Sequence, residues 1–283
     1  MRLLIYSKAL YASWVYYSPD RLAFDAGEGI STILGNKVFA LERIFLSHGH
    51  ADHITGLIGL INIRNSGMGD TEKPLTVYYP EGNWRVAELI KYIEKTNRRL
   101  KYPLEWVPIA AGARIPLFSG QCDRYMEAFP TVHSPNEPSL GYNIIERRRR
   151  LKAQYRDLSQ EEILELVRAG RREEISESYE KRLFSYGGDS VALDPDDVQG
   201  TDILCHDCTF LTEEEREDYK HATLSEALEV ALRAQVQEAF FAMHISSRYK
   251  QRLKEIEEQL MREHPKLPFK VIFVPPGKLF RYE

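Results

Sequence analysis

Residues 48–53 read His-Gly-His-Ala-Asp-His and bring three imidazoles and one carboxylate into six positions. Neutral imidazole and carboxylate are ligands for borderline divalent cations, zinc above all. Side chains at alternate positions of an extended backbone point to the same side, so His48 and His50 could share one ion. Asp52 and His53 come where the chain turns into a helix and would face a neighbouring ion. The alternative interpretation is a polar loop of hydrogen-bonded surface histidines.

A site with two metal ions needs more ligands than these four, and three further residues follow predicted strands. His133 comes after residues 129–132, Asp189 after a Gly-Gly pair and His244 after residues 240–243. Each alone is more often a structural residue, but together with the cluster they favour a metal site. We expect His48, His50 and His133 to bind one ion, Asp52, His53 and His244 to bind the other, and Asp189 to bridge the two.

The elements that position these residues follow from the apolar pattern. Residues 42–47 predict a buried strand that ends at the cluster, and apolar residues at helical spacing predict a helix over residues 54–63. Chemistry at the carboxyl end of a strand is the usual α/β arrangement. The other predicted strands are 2–10, 11–17, 22–25, 75–79, 104–108, 114–117, 125–132, 184–186, 203–205 and 269–274, and the other predicted helices are 84–100, 212–220, 224–234 and 248–263.

The composition is that of a globular protein. The chain has 283 residues, 43% of them hydrophobic, and a formal net charge of −4, so contact with nucleic acid must come from a local patch. Three cysteines are too few for a disulfide framework, and no apolar run is long enough to span a bilayer. We expect a single cytoplasmic domain over residues 1–283 with no membrane partner. Cys205 and Cys208 allow a redox or zinc Cys-x-x-Cys motif, which the lack of a second cysteine pair disfavours.

The His-Gly-His-Ala-Asp-His stretch resembles the signature of the metallo-β-lactamase superfamily, whose fold packs two β-sheets face to face between outer helices. Because hydrolases of many ester and amide classes carry that motif, it selects no substrate. Flanking motifs, in chain order, resemble those of the tRNase Z (ribonuclease Z) family. They are Phe24-Asp25-Ala26-Gly27-Glu28-Gly29, His133-Ser134 leading to Gly141-Tyr142, Gly188-Asp189-Ser190, His206-Asp207-Cys208-Thr209-Phe210, His221-Ala222-Thr223 with Glu226-Ala227, and His244-Ile245-Ser246-Ser247-Arg248-Tyr249.

The resemblance implies an α/β (α+β) fold, a four-layer αββα sandwich, and an endonuclease that cuts precursor tRNA on the 3′ side. It implies two divalent metal ions, Zn²⁺ with Mn²⁺ as the alternative, and a homodimer. Two such ions clamp the attacking and leaving oxygens at phosphorus. Asp52 would orient the nucleophile, and His221 would protonate the departing 3′-oxygen while Asp207 holds its tautomer. Family members usually carry Glu where this chain has Asp207.

Two further segments are candidates for substrate binding. Ser246, Ser247 and Arg248 follow His244 at a predicted helix start, where backbone N–H groups and a guanidinium favour a phosphate; a plain helix cap is the alternative. Residues 146–183 predict a projecting charged insertion, with a capping box at Ser159 and Glu162 that opens a helix.

That insertion stands where the family often has a Gly/Pro-rich arm, and it begins with the run Arg147, Arg148, Arg149 and Arg150. The four arginines precede the acidic residues and do not alternate with them, which favours phosphate binding. The alternative is a solvated charged helix balanced by Glu161, Glu162, Glu173 and Glu174. The family's Gly-Thr-Gly-rich turn after the first strand has no counterpart in residues 1–23.

Two other functions stay open. One is a hydrolase of the same fold that acts on small phosphodiesters, cyclic nucleotides or sulfate esters. The other is an RNA-binding or interaction protein with an idle site, which the presence of all seven predicted ligand residues disfavours.

Overall fold

The computed structural model describes residues 2–67, 73–119, 122–217 and 219–283. The strands of the described part are β1 Leu3–Lys8, β2 Ala12–Tyr17, β3 Leu22–Phe24, β4 Arg43–Phe45, β5 Leu75–Pro80, β6 Leu104–Ile109, β7 Arg114–Ser119, β8 Cys122–Pro130, β9 Leu140–Leu151, β10 Ser176–Tyr186, β11 Ile203–Asp207, β12 Ala239–Met243, β13 Lys270–Phe273 and β14 Phe280–Tyr282. Its α-helices are α1 Ile30–Leu34, α2 Ala51–Ile54, α3 Gly56–Gly67, α4 Trp84–Thr96, α5 Gln160–Arg168, α6 Arg172–Ile175, α7 Leu224–Arg233 and α8 Leu253–Glu263.

The strands form two seven-stranded sheets, one in the order β14-β1-β2-β3-β4-β5-β6 and the other in the order β13-β12-β11-β10-β9-β8-β7. One half of each sheet, running out to an edge strand, is parallel: β3 to β6 in the first, and β10 to β13 in the second. Parallel neighbours need crossover connections, and these connections supply the helices of the outer layers. The carboxyl ends of several parallel strands therefore lie along one edge of each sheet.

One core fills the space between the sheets, and Phe24 lies at its centre. The Phe24 ring is fully buried and contacts the rings of Phe45, Tyr142, Phe184 and Tyr186, with centroids 5.1 to 6.1 Å apart. Aromatic rings at such distances prefer tilted arrangements, as observed in these pairs. The two sheets are thus held face to face by residues from both.

Two further cores cover the outer faces. Leu57 and Leu60 of α3, with residues of α1 and α4, pack on the outside of the first sheet, whereas Leu228 of α7 and Leu260 of α8 pack on the outside of the second. The order of layers is helix, sheet, sheet, helix, which confirms the predicted αββα sandwich. No α-helix within the described ranges combines the length and the apolar character needed to cross a bilayer.

The charged segment 146–183 is a two-stranded projection with a helical tip. The far half of β9 pairs with the start of β10, so that Arg150 lies opposite Glu177 and Arg147 opposite Glu180. Helix α5 begins at the predicted capping box, in which Ser159 and Glu162 satisfy each other's backbone N–H groups. The four arginines therefore lie on a paired strand.

Two helix predictions are wrong. Residues 212–217 and 219–220 form turns and bends in place of the predicted helix, and Asp218 lies outside the described residues. Tertiary hydrogen bonds override the helix propensity there: Glu213 accepts from the hydroxyl of Thr223, and Arg216 pairs with Glu226 at 2.6 Å.

The helix predicted to begin at Arg248 begins five residues later, at Leu253. The residues in front of it, Ser247–Tyr249, form only a short 3₁₀ turn. The guanidinium of Arg248 is held by Glu217 at 2.7 Å, outside any helix start. The predicted phosphate-binding residues Ser246, Ser247 and Arg248 therefore lie at a 3₁₀ turn and not at the start of an α-helix.

Candidate metal centre

The seven residues predicted to hold metal ions converge at one edge of the two sheets. His48 and His50 lie in the extended segment after β4, and Asp52 and His53 lie in the short helix α2 that follows directly. Gly49 stands between the two histidines because a Cβ there would lie 2.3 Å from the side-chain oxygen of Asn83. The remaining three, His133, Asp189 and His244, follow β8, β10 and β12.

The first group consists of His48, His50 and His133, whose ligating atoms lie within 4.8 Å of one another. His50 Nδ1 and His133 Nε2 are 3.1 Å apart. Two nitrogens on one tetrahedral zinc ion are separated by about 3.3 Å, since each Zn–N bond is about 2.0–2.1 Å long. The spacing of this pair therefore fits shared coordination.

The second group consists of Asp52, His53, Asp189 and His244. The Oδ2 atom of Asp189 is 3.1 Å from Nε2 of His53, 3.1 Å from Nε2 of His244 and 4.0 Å from Nε2 of His48. Asp189 thus belongs to the second group and also faces the first. Its carboxylate therefore lies between the two groups of side chains.

Unsatisfied nitrogens indicate what the cluster is built to hold. The Nε2 atoms of His48, His53 and His244 are buried and make no well-aligned hydrogen bond among the described residues, although the Asp189 carboxylate lies 3.1 Å from two of them. An unpaired buried polar atom costs about 1–3 kcal/mol, so three aimed at one place need a common partner. Imidazole and carboxylate donors suit a divalent cation. The residues present therefore fit the metal ions that this donor set implies.

The opposite ring nitrogens are fixed by hydrogen bonds, which orients the free nitrogens toward the centre. Nδ1 of His53 donates to Asp25 over 2.7 Å, Nδ1 of His48 lies 3.0 Å from the Ser47 hydroxyl, and Nδ1 of His244 lies 3.0 Å from the Thr209 hydroxyl. Outer partners of this kind fix the tautomer and the ring orientation of a ligating histidine.

Asp25 is the hub of this supporting layer. Its buried carboxylate accepts from the backbone N–H of Ser47 at 2.6 Å, the Ser47 hydroxyl at 2.8 Å and the Tyr186 hydroxyl at 2.6 Å, in addition to His53. Asp25 also has a left-handed φ of 56°. A non-glycine residue in that region is strained, and such strain is concentrated at functional sites.

Burial and neighbouring charges set the protonation states. Burial, and then the nearby His53, hold the pKa of His48 well below its ordinary value, so this imidazole is neutral and ready to bind a cation. Burial alone would lower the pKa of His53, but the carboxylates of Asp189 and Asp25 outweigh it and raise that pKa well above the ordinary value. Burial would raise the pKa of Asp189, yet His244 and His53 hold it well below its usual range.

His221 and Asp207 form a pair beside the cluster. His221 Nδ1 is 2.6 Å from Asp207 Oδ2, and the same carboxylate accepts from the N–H of Ser190 and from the N–H and hydroxyl of Thr209. The shorter side chain of Asp207 therefore reaches the imidazole. His221 also groups with His133 and Asp189 within 4.8 Å.

Sequence reasoning missed Glu137. This buried carboxylate accepts from the N–H of Gly49 at 3.1 Å and the amide of Asn83 at 3.1 Å, and it lies 3.3 Å from His50 Nε2. It thus holds the outward nitrogen of His50, as Asp25 does for His53. The only signal in the sequence was an acidic residue a few positions after His133.

The cluster opens onto a cleft of about 470 Å³. Its wall includes Leu10, Trp84, Arg85, Lys220 and His221. Leu10 lies in the turn between β1 and β2, at a left-handed φ of 70°, where this chain lacks the family's Gly-Thr-Gly-rich turn.

The other predicted substrate residues stand apart from that wall. Ser246, Ser247, Arg248 and the run Arg147–Arg150 do not line the cleft. Arg149 pairs with Glu173, and Arg150 with Glu177 at 2.7 Å. The arginines precede the acidic residues of the projection in sequence, but the β9–β10 pairing brings those acids beside them in space.

The cysteine pair gives no reactive site. Cys205 and Cys208 are buried free thiols, and burial raises the pKa of both well above the ordinary value. A reactive or metal-binding cysteine needs a lowered pKa. His206 between them is buried and accepts the backbone N–H of Leu193 at 3.2 Å, which is a structural role.

The layers and the His/Asp cluster define a metal-dependent hydrolase of the metallo-β-lactamase fold. Solved structures agree on the fold: the chain superposes on the short form of human tRNase Z with a TM-score of 0.64 (18% identity, 99% of each chain covered) and on the metallo-β-lactamase fold protein YhfI from Bacillus subtilis with a TM-score of 0.62 (15% identity, 98% of each chain). No family model matches the chain.

Sequence relatives place the chain within that class. Proteins named ribonuclease Z are 32% identical in Methanosarcina mazei (81% of this chain, 79% of the relative), 30% identical in Natronomonas pharaonis (81% and 79%) and 31% identical in Bacillus cereus (83% of each). The chain belongs to the ribonuclease Z family.

Proposed function

We propose that this protein is a dinuclear zinc phosphodiesterase that cuts precursor tRNA on the 3′ side. The observation that carries the proposal is the convergence of the seven predicted ligand residues, with three buried imidazole nitrogens that make no well-aligned hydrogen bond, beside a His–Asp pair. We assign His48, His50 and His133 to one ion, Asp52, His53 and His244 to the other, and Asp189 to both. Bound divalent ions would supply Lewis-acid stabilisation of the phosphoryl oxygens and activation of a water.

The side chains at the cleft have separate tasks in this proposal. Burial would raise the pKa of Asp52, but the nearby imidazoles of His244 and His53 lower it overall. The ionised Asp52 therefore orients the attacking water and accepts its proton. His221, held at Nδ1 by Asp207, gives a proton to the departing 3′-oxygen from its other nitrogen.

The projection from residues 146–183 is proposed as an arm that reaches RNA bound by a second subunit of a homodimer. Its eleven basic residues are nearly balanced by nine acidic ones, so its contribution to binding rests on shape more than on charge. A single domain over residues 1–283 and a cytoplasmic location belong to the same proposal.

The test is cleavage of a precursor tRNA with a 3′ trailer by the zinc-loaded protein, with the new end mapped. We expect a 3′-hydroxyl on the tRNA body, and loss of cleavage with chelator. Asp52→Ala and His221→Ala should each lower kcat about 10²–10⁴-fold, the range of one positioned proton-transfer group. The matched control is His264→Ala, which removes an exposed histidine at the end of α8 and should leave kcat unchanged.

Hydrolysis of bis-p-nitrophenyl phosphate without cleavage of precursor tRNA would overturn the proposed substrate and leave the small-ester alternative. Full metal loading without turnover of any phosphodiester would leave only a binding role. An elemental count near two zinc ions per chain is expected, and a count of one would contradict the dinuclear assignment.

A further inference from the structure

An exposed tryptophan stands at the wall of the active cleft. Trp84 is the first residue of α4, and its side chain is 57% exposed although large apolar side chains are usually covered. It lines the same cleft as His50, Asp52 and His221. Trp14, by contrast, is buried in the core on the outer face of the first sheet.

Contacts fix where Trp84 stands relative to the metal residues. The guanidinium of the next residue, Arg85, lies over the indole, 4.6 Å from its centroid. Arg85 Nε is also 3.3 Å from the Glu137 carboxylate, which in turn lies 3.3 Å from His50 Nε2. A chain of contacts thus joins the indole to the first ligand group.

The same contacts hold the indole in place. Asn83 caps α4 by accepting from the Val86 N–H, and its amide donates to Glu137, so the first turn of α4 is tied to the cluster. Stacking of Arg85 on one side of a ring that stays more than half exposed leaves the other side to solvent. A rigid, open aromatic face at a cleft is what a nucleobase stacks on.

We propose that Trp84 stacks on the nucleobase next to the phosphate that the cleft binds, so that the protein selects nucleotide esters over phosphate esters without a base. The inference rests on the proposed phosphodiesterase function and names the substrate feature that the site recognises. Stacking is tolerant of base identity because every base has a π-face, so Trp84 would favour nucleotides in general. Arg85 would support the platform by its cation–π contact.

The first test measures binding without cleavage. Tryptophan fluorescence of the zinc-loaded protein is titrated with adenosine monophosphate and with ribose 5-phosphate, which has the sugar and phosphate but no base. We expect quenching by the nucleotide only, and loss of that quenching in Trp84→Phe. Affinity for adenosine monophosphate should fall about 10- to 100-fold in Trp84→Ala and much less in Trp84→Phe.

The matched control is Tyr92→Ala, because Tyr92 is an aromatic residue of the same helix with 52% exposure but does not line the cleft. It should bind adenosine monophosphate as the parent does. Circular dichroism of Trp84→Ala should match the parent. Equal affinity of Trp84→Ala and the parent for the nucleotide, or equal binding of both ligands by the parent, would overturn the proposal.

The second test uses precursor tRNA. Trp84→Ala should raise KM about 10-fold or more with kcat nearly unchanged, because stacking contributes equally in the bound substrate and at the transition state. An unchanged KM in an enzyme that cleaves precursor tRNA would overturn the stacking role alone. A protein that binds adenosine monophosphate through Trp84 but leaves precursor tRNA intact would overturn the proposed function alone.

Discussion

The metal cluster and the β9–β10 projection both consist of charged side chains, but they place them in opposite environments. In the cluster, Asp25, His53 and Asp189 are almost fully buried, and the groups that hydrogen-bond to Asp25 are buried with it. On the projection, Arg149, Arg150 and their acidic partners are exposed. The same residue types are therefore expected to contribute very differently to stability.

The expected contributions to stability differ because water can replace a lost hydrogen-bond partner at an exposed site but not at a buried one. A buried donor that loses its acceptor stays unpaired, because water cannot reach it. An exposed guanidinium that loses its carboxylate is solvated at once, and the pair was already screened by solvent and salt. The following changes test this contrast, from the largest expected effect to the smallest.

Asp25→Ala should have the largest effect. It would leave the Ser47 N–H, the Ser47 hydroxyl, the Tyr186 hydroxyl and His53 Nδ1 without their acceptor. Breaking a buried charged network by removing one partner costs about 3–5 kcal/mol. Urea denaturation of the chelated protein should show this loss in the free energy of unfolding.

The control for Asp25→Ala is Asp123→Ala, which removes an exposed carboxylate 3.8 Å from Arg147. Its expected loss is below about 1 kcal/mol. Similar losses in the two variants would contradict the contrast between the buried and exposed networks.

Thr209→Val should have the next largest effect, and on metal affinity more than on folding. The change keeps the shape of the side chain but removes the hydroxyl that accepts from His244 and donates to Asp207. Loss of such an outer partner lowers metal affinity about 10- to 100-fold. Zinc competition with a chromophoric chelator measures it, and Thr96→Val, on the exposed side of α4, should leave the affinity unchanged. Equal zinc affinities in the two variants would show that the Thr209 hydroxyl does not support metal binding.

These two regions also differ in how far the sequence predicts them. The cluster was predictable because His48, His50, Asp52 and His53 are close in sequence and the local backbone fixes their spacing. The capping box of α5 was predictable for the same reason, since its two residues lie in one turn.

Long-range pairing was harder to predict. Arg150 and Glu177 are 27 positions apart, and their pairing depends on the register of two strands, which the local pattern does not encode. Burial of Glu137 depends on Gly49 and Asn83, which come from two other loops. The false helix over residues 212–220 has the same cause, because tertiary contacts of Glu213 and Arg216 decide that segment.

Arg150→Ala tests the exposed ion pairs of the projection more directly than Asp123→Ala does. Its Nε lies 2.7 Å from the Glu177 carboxylate, with about half of the arginine side chain exposed (53%). A double-mutant cycle with Glu177→Ala should give a coupling free energy of about 0.2–1 kcal/mol in unfolding, which falls in 1 M salt. A coupling above 2 kcal/mol would place this pair with the buried network.

Glu146 lies at the boundary between the two regions, where β9 leaves the core. Burial would raise the pKa of its carboxyl, but hydrogen bonds from Arg148 at 2.5 Å and Arg124 at 2.6 Å lower it overall below 4.5. A lowered folded-state pKa means that this carboxylate stabilises the fold above the unfolded value and loses that contribution as the pH falls through the folded value. Denaturation between pH 6 and pH 3 should therefore show a shallower acid-side loss in Glu146→Gln than in the parent. Equal slopes would mean that Arg148 and Arg124 stabilise the ionised Glu146 carboxylate no more than the solvated ion pairs of the projection are stabilised.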